Sequence, residues 1–81
     1  MKNTQCKYPN KLKEFRIKAG LTQKQVAEKL GLQCEDRLSH WEKGNAAPGL
    51  TNLFKLSVLY NASPQELYPE MLEEFAGLSV T

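Results

Sequence analysis

Cysteine and histidine are scarce in this chain of 81 residues: only Cys6, Cys34 and His40 occur. That set makes neither a disulfide framework nor a Cys/His metal site, so both cysteines are expected as reduced thiols of a cytoplasmic protein. No metal, cofactor or small-molecule ligand is expected. No apolar run approaches the length of a membrane span, and the opening MKNTQCKYPNK lacks the apolar centre of a signal peptide. Alternating strand runs and Asn-Gly hairpin signals are missing too. With a single histidine, no Ser/His/Asp or Cys/His set and no Gly-rich phosphate loop, the chain is not expected to be an enzyme. Basic residues also run out early. Residues 1–60 hold all 11 Lys and Arg and five acids, a balance of +6. Residues 61–81 hold Glu66, Glu70, Glu73 and Glu74 and no base, a balance of −4. A basic body with an acidic tail suits a surface that meets a polyanion on one side only.

What is present reads as helix throughout. The length allows one small domain with a modest core. Pro9 is placed to open a first helix, with Leu12, Phe15, Arg16 and Ala19 along one side and Gly20 stopping it. Thr22, with Gln25 three residues later, has the spacing of a capping box for a second helix whose inner face is Val26, Ala27 and Leu30. A third helix is expected from about Cys34 or Glu35 to Lys43, closed by Gly44. A fourth runs from Leu50 to Tyr60 and is broken by Asn61. Ser63, Pro64 and Glu66 form the start of a short fifth, which Pro69 interrupts or restarts. Five short helices with brief connections fit a compact all-α bundle. The organisation expected is a flexible basic arm at 1–8, a domain at 9–68, and an acidic tail at 69–81 with Met71, Leu72 and Phe75 at helical spacing.

The second and third helices carry the functional signal. A helix-turn-helix needs a small residue where the helices touch, a turn former, and apolar anchors on the second helix. Ala27 is the small residue, Gly31 can take positive φ, and Leu38 and Trp41 at i and i+3 share one face. At about 100° per residue, Cys34 joins Leu38 and Trp41 while Asp36, Ser39, His40 and Lys43 lie opposite, with Glu35 and Arg37 on the flanks. That polar face can hydrogen-bond in a groove or stand in solvent.

The segments GLTQKQVAEKLG and LSHWEKG, followed by a proline and LTNLFKL, resemble the Cro/repressor-type (XRE-like) helix-turn-helix family over roughly Leu12 to Leu67. The resemblance implies a phage-repressor-like five-helix domain of a transcriptional regulator. It further implies double-stranded DNA as partner and the third helix in the major groove, leading end toward the bases. Carried over by position, Gln23 matches a residue that meets a backbone phosphate. Gln33, Glu35, Asp36, Arg37, Ser39 and His40 fall at or beside base-facing positions, and Lys43 and Asn45 near the phosphates after the third helix. Arg16 and Glu42 match an ion pair tying the first helix to the end of the third. Two departures stand out. The turn from Gly31 to Leu38 is one residue longer than usual in the family, and Ala46 and Ala47 replace residues that are often basic.

Two acids at the leading end of a DNA-reading helix need an explanation, and three are open. Glu35 or Asp36 caps the helix, the first choice for at least one of them. Alternatively they accept from cytosine N4 amino groups, or Arg37 folds across both. A rival function uses the same scaffold as a protein–protein interaction module or antitoxin-like partner, with weak or no DNA binding. Paired half-sites one DNA turn apart make a palindromic operator and a homodimer the expectation by analogy. Phe54, Val58, Met71, Leu72 and Phe75 offer a surface for it, unless the tail folds back over its own domain. With no ligand-sensing segment in view, repression by occupying an operator is the simplest regulatory reading.

Overall fold

A computed structural model describes residues 7–78. The expected arm therefore falls outside the described residues at 1–6, Cys6 included, as does the end of the tail at 79–81. The described residues form α1 (Leu12–Lys18), α2 (Gln23–Leu30), α3 (Asp36–Lys43), α4 (Leu50–Tyr60), α5 (Pro64–Leu67), α6 (Pro69–Glu74) and a 3₁₀ turn at Ala76–Leu78. The all-α class holds. The helix count rises from five to six because Pro69 takes the first helical position of a new segment, where its missing N–H costs nothing.

Local signals explain most of the helix ends. The Thr22 hydroxyl accepts from the Gln25 amide while the Gln25 side chain accepts from the Thr22 amide. The Ser63/Glu66 pair does the same for α5. Gly31 and Gly44 close α2 and α3 at φ 81° and 80°, in the left-handed region that glycine enters without a Cβ clash. The amides beyond them reach back to the last turns, Leu32 to the Ala27 carbonyl at 2.9 Å and Asn45 to the His40 carbonyl at 3.0 Å.

The first helix starts later than Pro9. Asn10 marks the start instead, its side chain holding an amide of the first turn and a carbonyl far along the chain. Its Nδ2 donates to the carbonyls of Tyr8 at 2.8 Å and Trp41 at 2.9 Å, and its Oδ1 accepts from the Leu12 amide at 3.0 Å. On either side of it, the Lys11 amide donates to the Leu67 carbonyl and the Tyr8 amide to the Gly44 carbonyl. This segment stitches α1, the end of α3 and α5 together, so its backbone follows its distant partners rather than a helix. The third helix likewise begins at Asp36, so Cys34 lies in the turn, exposed, and not on the inward face with Leu38 and Trp41. Ala19 also departs from its expected inward place: it caps α1 and is exposed.

The core gathers Leu12 from α1, Val26 and Leu30 from α2, Leu38 and Trp41 from α3, Leu56 and Tyr60 from α4, and Leu67 from α5. Ala27 is buried where α2 meets its neighbours. The tail divides. Met71 packs on this core, whereas Leu72, Phe75 and Leu78 stay exposed.

Two tyrosines sit awkwardly in this interior. The hydroxyls of Tyr60 and Tyr68 are buried with no hydrogen-bond partner among the described residues. Burial pushes the Tyr68 phenol up to about 12. Tyr60 is pushed up as well, first by burial and then by the Glu42 carboxylate, with Arg16 pulling the other way. A phenol whose folded pKa lies above its ordinary value of 10.0 supports the fold fully below that pH. The support fades as pH climbs through the folded value. The melting temperature is therefore expected to fall between about pH 10 and pH 12. Tyr60→Phe and Tyr68→Phe should flatten that fall, and each should shift neutral-pH stability by less than about 1 kcal/mol, since no bond is lost. Asn10→Ala, by contrast, is expected to cost about 1–3 kcal/mol in urea unfolding, because it leaves the amide of buried Leu12 without its acceptor.

Candidate nucleic-acid interface

The side chain of α3 that matters first is the one that cannot leave. Leu38 is fully buried and Trp41 is 3% exposed, and their i, i+3 spacing fixes the roll of an eight-residue helix. Asp36, Arg37, His40 and Lys43 consequently stand exposed, and Ser39 is half-buried on the edge of that face. Gln33 and Glu35 are exposed in the turn ahead of it, and Asn45 is exposed just past Gly44. The additional residue of the turn lies ahead of the helix, so it does not change which α3 side chains point out.

Glu42 sits between the anchored and exposed faces, with its side chain only 4% accessible. Arg16 approaches it in a forked arrangement, Nε to Oε2 at 2.7 Å and Nη2 to Oε1 at 3.4 Å. Arg16 Nη1 also donates to the Leu21 carbonyl at 3.0 Å, in the link between α1 and α2. The second carboxylate oxygen accepts from Gln23 Nε2 at 3.0 Å. One carboxylate thus joins α1, α2 and α3. Gln23 was expected to turn outward to a phosphate; its amide nitrogen is instead engaged inside this seam.

Around the seam lies an open polar hollow of about 490 Å³ lined by Lys13, Arg16, Gln23, Ser39, Glu42 and Lys43. Of the expected site residues it brings together Gln23, Ser39 and Lys43; Gln33, Glu35, Asp36, Arg37, His40 and Asn45 do not line it. Lys13 was missed by sequence reasoning. Its signal was present, three residues before Arg16 on the same helix face. The start of α2 also borders the hollow. The capping box uses the Gln25 amide, and the Val26 amide goes to the Thr22 carbonyl. The amides of Gln23 and Lys24, at the first two helical positions, have no acceptor within the helix.

The acids at the leading end of α3 behave differently from two of the three readings. Glu35 occupies the N-cap with φ −88° and ψ 2°, and no side-chain bond closes the helix start. A capping side chain reaches the first-turn amides from an extended backbone, which Glu35 does not have. Asp36, already inside the helix, makes no cap either. Its charge still favours the positive end of the helix, without a direct bond. Arg37 does not cover the pair: its guanidinium lies over the Trp41 ring, 5.7 Å from the centroid. Among the described residues the one ion pair is Arg16–Glu42.

Two helices crossed at a glycine turn, the second anchored by its apolar side and offering its polar side, define a helix-turn-helix domain. The helix-turn-helix family model matches residues 12–67, well over half of the chain. The chain belongs to this family. It is similar to the HTH-type transcriptional regulator ImmR of Bacillus subtilis, 47% identical over 57 residues, which covers 70% of this chain and 44% of that protein. It is also similar to two HTH-type transcriptional regulators of Archaeoglobus fulgidus. One is 34% identical over 67 residues, 83% of this chain and 94% of the relative. The other is 31% identical over 58 residues, 72% and 80% respectively. The chain spans less than half the length of the Bacillus regulator.

The seam makes a quantitative expectation. Glu42→Ala leaves the Arg16 guanidinium half-buried without its counter-charge and should cost about 3 kcal/mol in urea unfolding. Gln23→Ala removes one hydrogen bond at the edge of the same seam and should cost about 1 kcal/mol. Equal losses for the two variants would show that the charge is not what holds the three helices.

Proposed function

We propose that this domain binds double-stranded DNA sequence-specifically as the reading unit of a small transcriptional regulator, with α3 in the major groove. The observation that carries the proposal is the exposed polar face of Asp36, Arg37, His40 and Lys43 on a helix whose opposite side is locked by Leu38 and Trp41. Next to it, Lys13 and Lys43 border a hollow at the start of α2. A phosphate seated there meets two cations and the unused amides of Gln23 and Lys24. In this arrangement Gln33, Glu35, Asp36, Arg37, Ser39 and His40 face base edges, and Gln23, Lys43 and Asn45 track the backbone. Gln23 acts through its main chain, while its side chain stays with Glu42. Glu35 and Asp36, with neither a cap bond nor a basic partner among the described residues, are free to accept from cytosine N4 amino groups.

The family relationship supports the regulator reading, and occupation of an operator makes repression the simplest outcome. Two copies on a palindrome would place two α3 helices one DNA turn apart. Phe54, Val58, Leu72 and Phe75 are exposed for such pairing, and Met71 supports them from the core side. Action on DNA places the domain in the cytoplasm; among the described residues no helix is long and apolar enough to cross a membrane. A second reading, a protein-interaction or antitoxin-like module with weak or no DNA binding, is favoured by the two uncompensated acids at the leading end, which repel phosphate.

Salt titration separates the two. With about 4–6 phosphate contacts per bound copy, log K for random duplex DNA should fall against log salt with a slope near −4 to −5. Lys43→Ala should make that slope shallower by about 1 at every sequence. His40→Ala should leave the slope intact and weaken the preference among sequences selected from a random pool. Negligible binding of random duplex at low salt would sink the DNA reading and leave the protein-binding one.

A further inference from the structure

Among the described residues nothing covers the apolar side of α4 at Phe54 and Val58. Phe54 is 54% exposed and Val58 is 82% exposed, one turn apart on the same helix. They open onto a groove of about 660 Å³ between α2 and α4, lined by Lys29, Leu30, Phe54, Lys55, Val58 and Leu59. Its apolar floor is flanked by two cations. Lys55 Nζ donates to the Leu30 carbonyl at 3.3 Å, which leaves donors to spare on the ammonium group. Lys29 is exposed.

The tail has the complementary character. Leu72, Phe75 and Leu78 recur every three residues and are 55%, 49% and 78% exposed. Between and before them stand Glu70, Glu73 and Glu74, and none of these makes an ion pair among the described residues. The tail cannot reach the groove of its own copy. It follows directly from buried Tyr68, Met71 is packed on the core, and the Leu72 amide is tied to the Tyr68 carbonyl. Met71, Leu72 and Phe75 border a separate hollow with Pro48, Leu53 and Tyr68, and about half of Leu72 and of Phe75 stays open to solvent. No residue lines both hollows.

We propose that the occupant of the Lys29/Lys55 groove is the acidic, apolar segment Pro69–Leu78 of a second copy of this chain. The same two copies exchange tails, each seating its own in the groove of the other, which makes the contact reciprocal and closes it at two subunits. The apolar stripe of the tail covers Phe54 and Val58, and its glutamates face the lysines. Opposite charges fix which way the tail lies and disfavour other partners. The assignment deepens the pairing included in the proposed function, but it does not require DNA, so it is tested without DNA. None of the groove or tail residues lines the hollow beside α3.

The test is a charge swap read by light-scattering mass and sedimentation, with circular dichroism confirming helicity. The wild-type chain is expected to dimerise at micromolar concentration. Lys29→Glu with Lys55→Glu puts acid against acid, and Glu70→Lys, Glu73→Lys and Glu74→Lys together put base against base. Each variant alone should lose at least about tenfold in dimer affinity. An equimolar mixture of the two should recover the dimer, since both of its contacts are again of opposite sign. Because Lys55 holds the Leu30 carbonyl, Lys29→Glu alone serves as the variant that breaks no bond in the fold, and it should weaken the dimer in the same direction. A wild-type chain that stays monomeric at high micromolar concentration overturns the proposal and leaves the groove to another partner. So does a dimer indifferent to either reversal, or a mixture that remains monomeric. Binding of random duplex at low salt, measured separately, reports on the DNA reading whichever way the masses fall.

Discussion

Two side chains on one side of an eight-residue helix decide what this domain can present. Two turns of helix do not persist alone in water, because so few backbone bonds cannot offset nucleation. Burying Leu38 and Trp41 supplies what is missing, on the order of 1.5–3 kcal/mol for a fully buried side chain of leucine size. The same burial fixes the helix in rotation. Once Leu38 and Trp41 face the core, His40 and Lys43 have nowhere to go but outward. The grip is reinforced on the backbone, where Asn10 takes the Trp41 carbonyl from 31 residues away. Position, roll and end of α3 are therefore set by contacts with α1, α2 and Asn10 and not by its own propensity.

The second constraint is electrostatic and lies on the flank of that helix. Glu42 is placed where water is nearly excluded, so its charge has to be met inside the protein. Arg16 meets it with a forked pair of bonds to both oxygens, and Gln23 adds a second donor to Oε1. The cost is that Gln23 loses its amide nitrogen to the scaffold. The benefit is geometric, since the start of α2 is held at a fixed distance from α3. In the DNA reading, that fixed distance spaces the phosphate-facing amides of α2 from the base-facing residues of α3. Fold and interface share this carboxylate, which is why a change there is expected to touch both.

Much of the architecture was legible because its signals are short-range. Thr22 with Gln25 and Ser63 with Glu66 act over three residues, and the glycines at 31 and 44 announce turns wherever the chain goes. Leu38 and Trp41 declare a face by spacing alone. Other features resisted for one reason: they depend on groups far away in sequence. Pro9 looks like a helix start until Asn10 is seen to be occupied by Trp41. Glu35 and Asp36 look like caps, yet the longer turn delivers Glu35 with a backbone that cannot make the bond. Arg37 looks like a partner for those acids, but its guanidinium lies over the Trp41 ring. The tail reads as one stripe, and only the packing of Met71 divides it into a covered edge and an open one.

From the amino acids alone came most of the helices, their order, and the inward residues of α2 and the Leu38/Trp41 anchor of α3, because periodicity and capping are properties of neighbouring residues. Tertiary structure decided which polar and apolar groups were already used. The Gln23 amide nitrogen goes to Glu42, while among the described residues Glu35, Asp36, Phe54 and Val58 are left without partners. A group that finds a partner at home has little left for a ligand, and whether it does so depends on residues that only folding brings within reach.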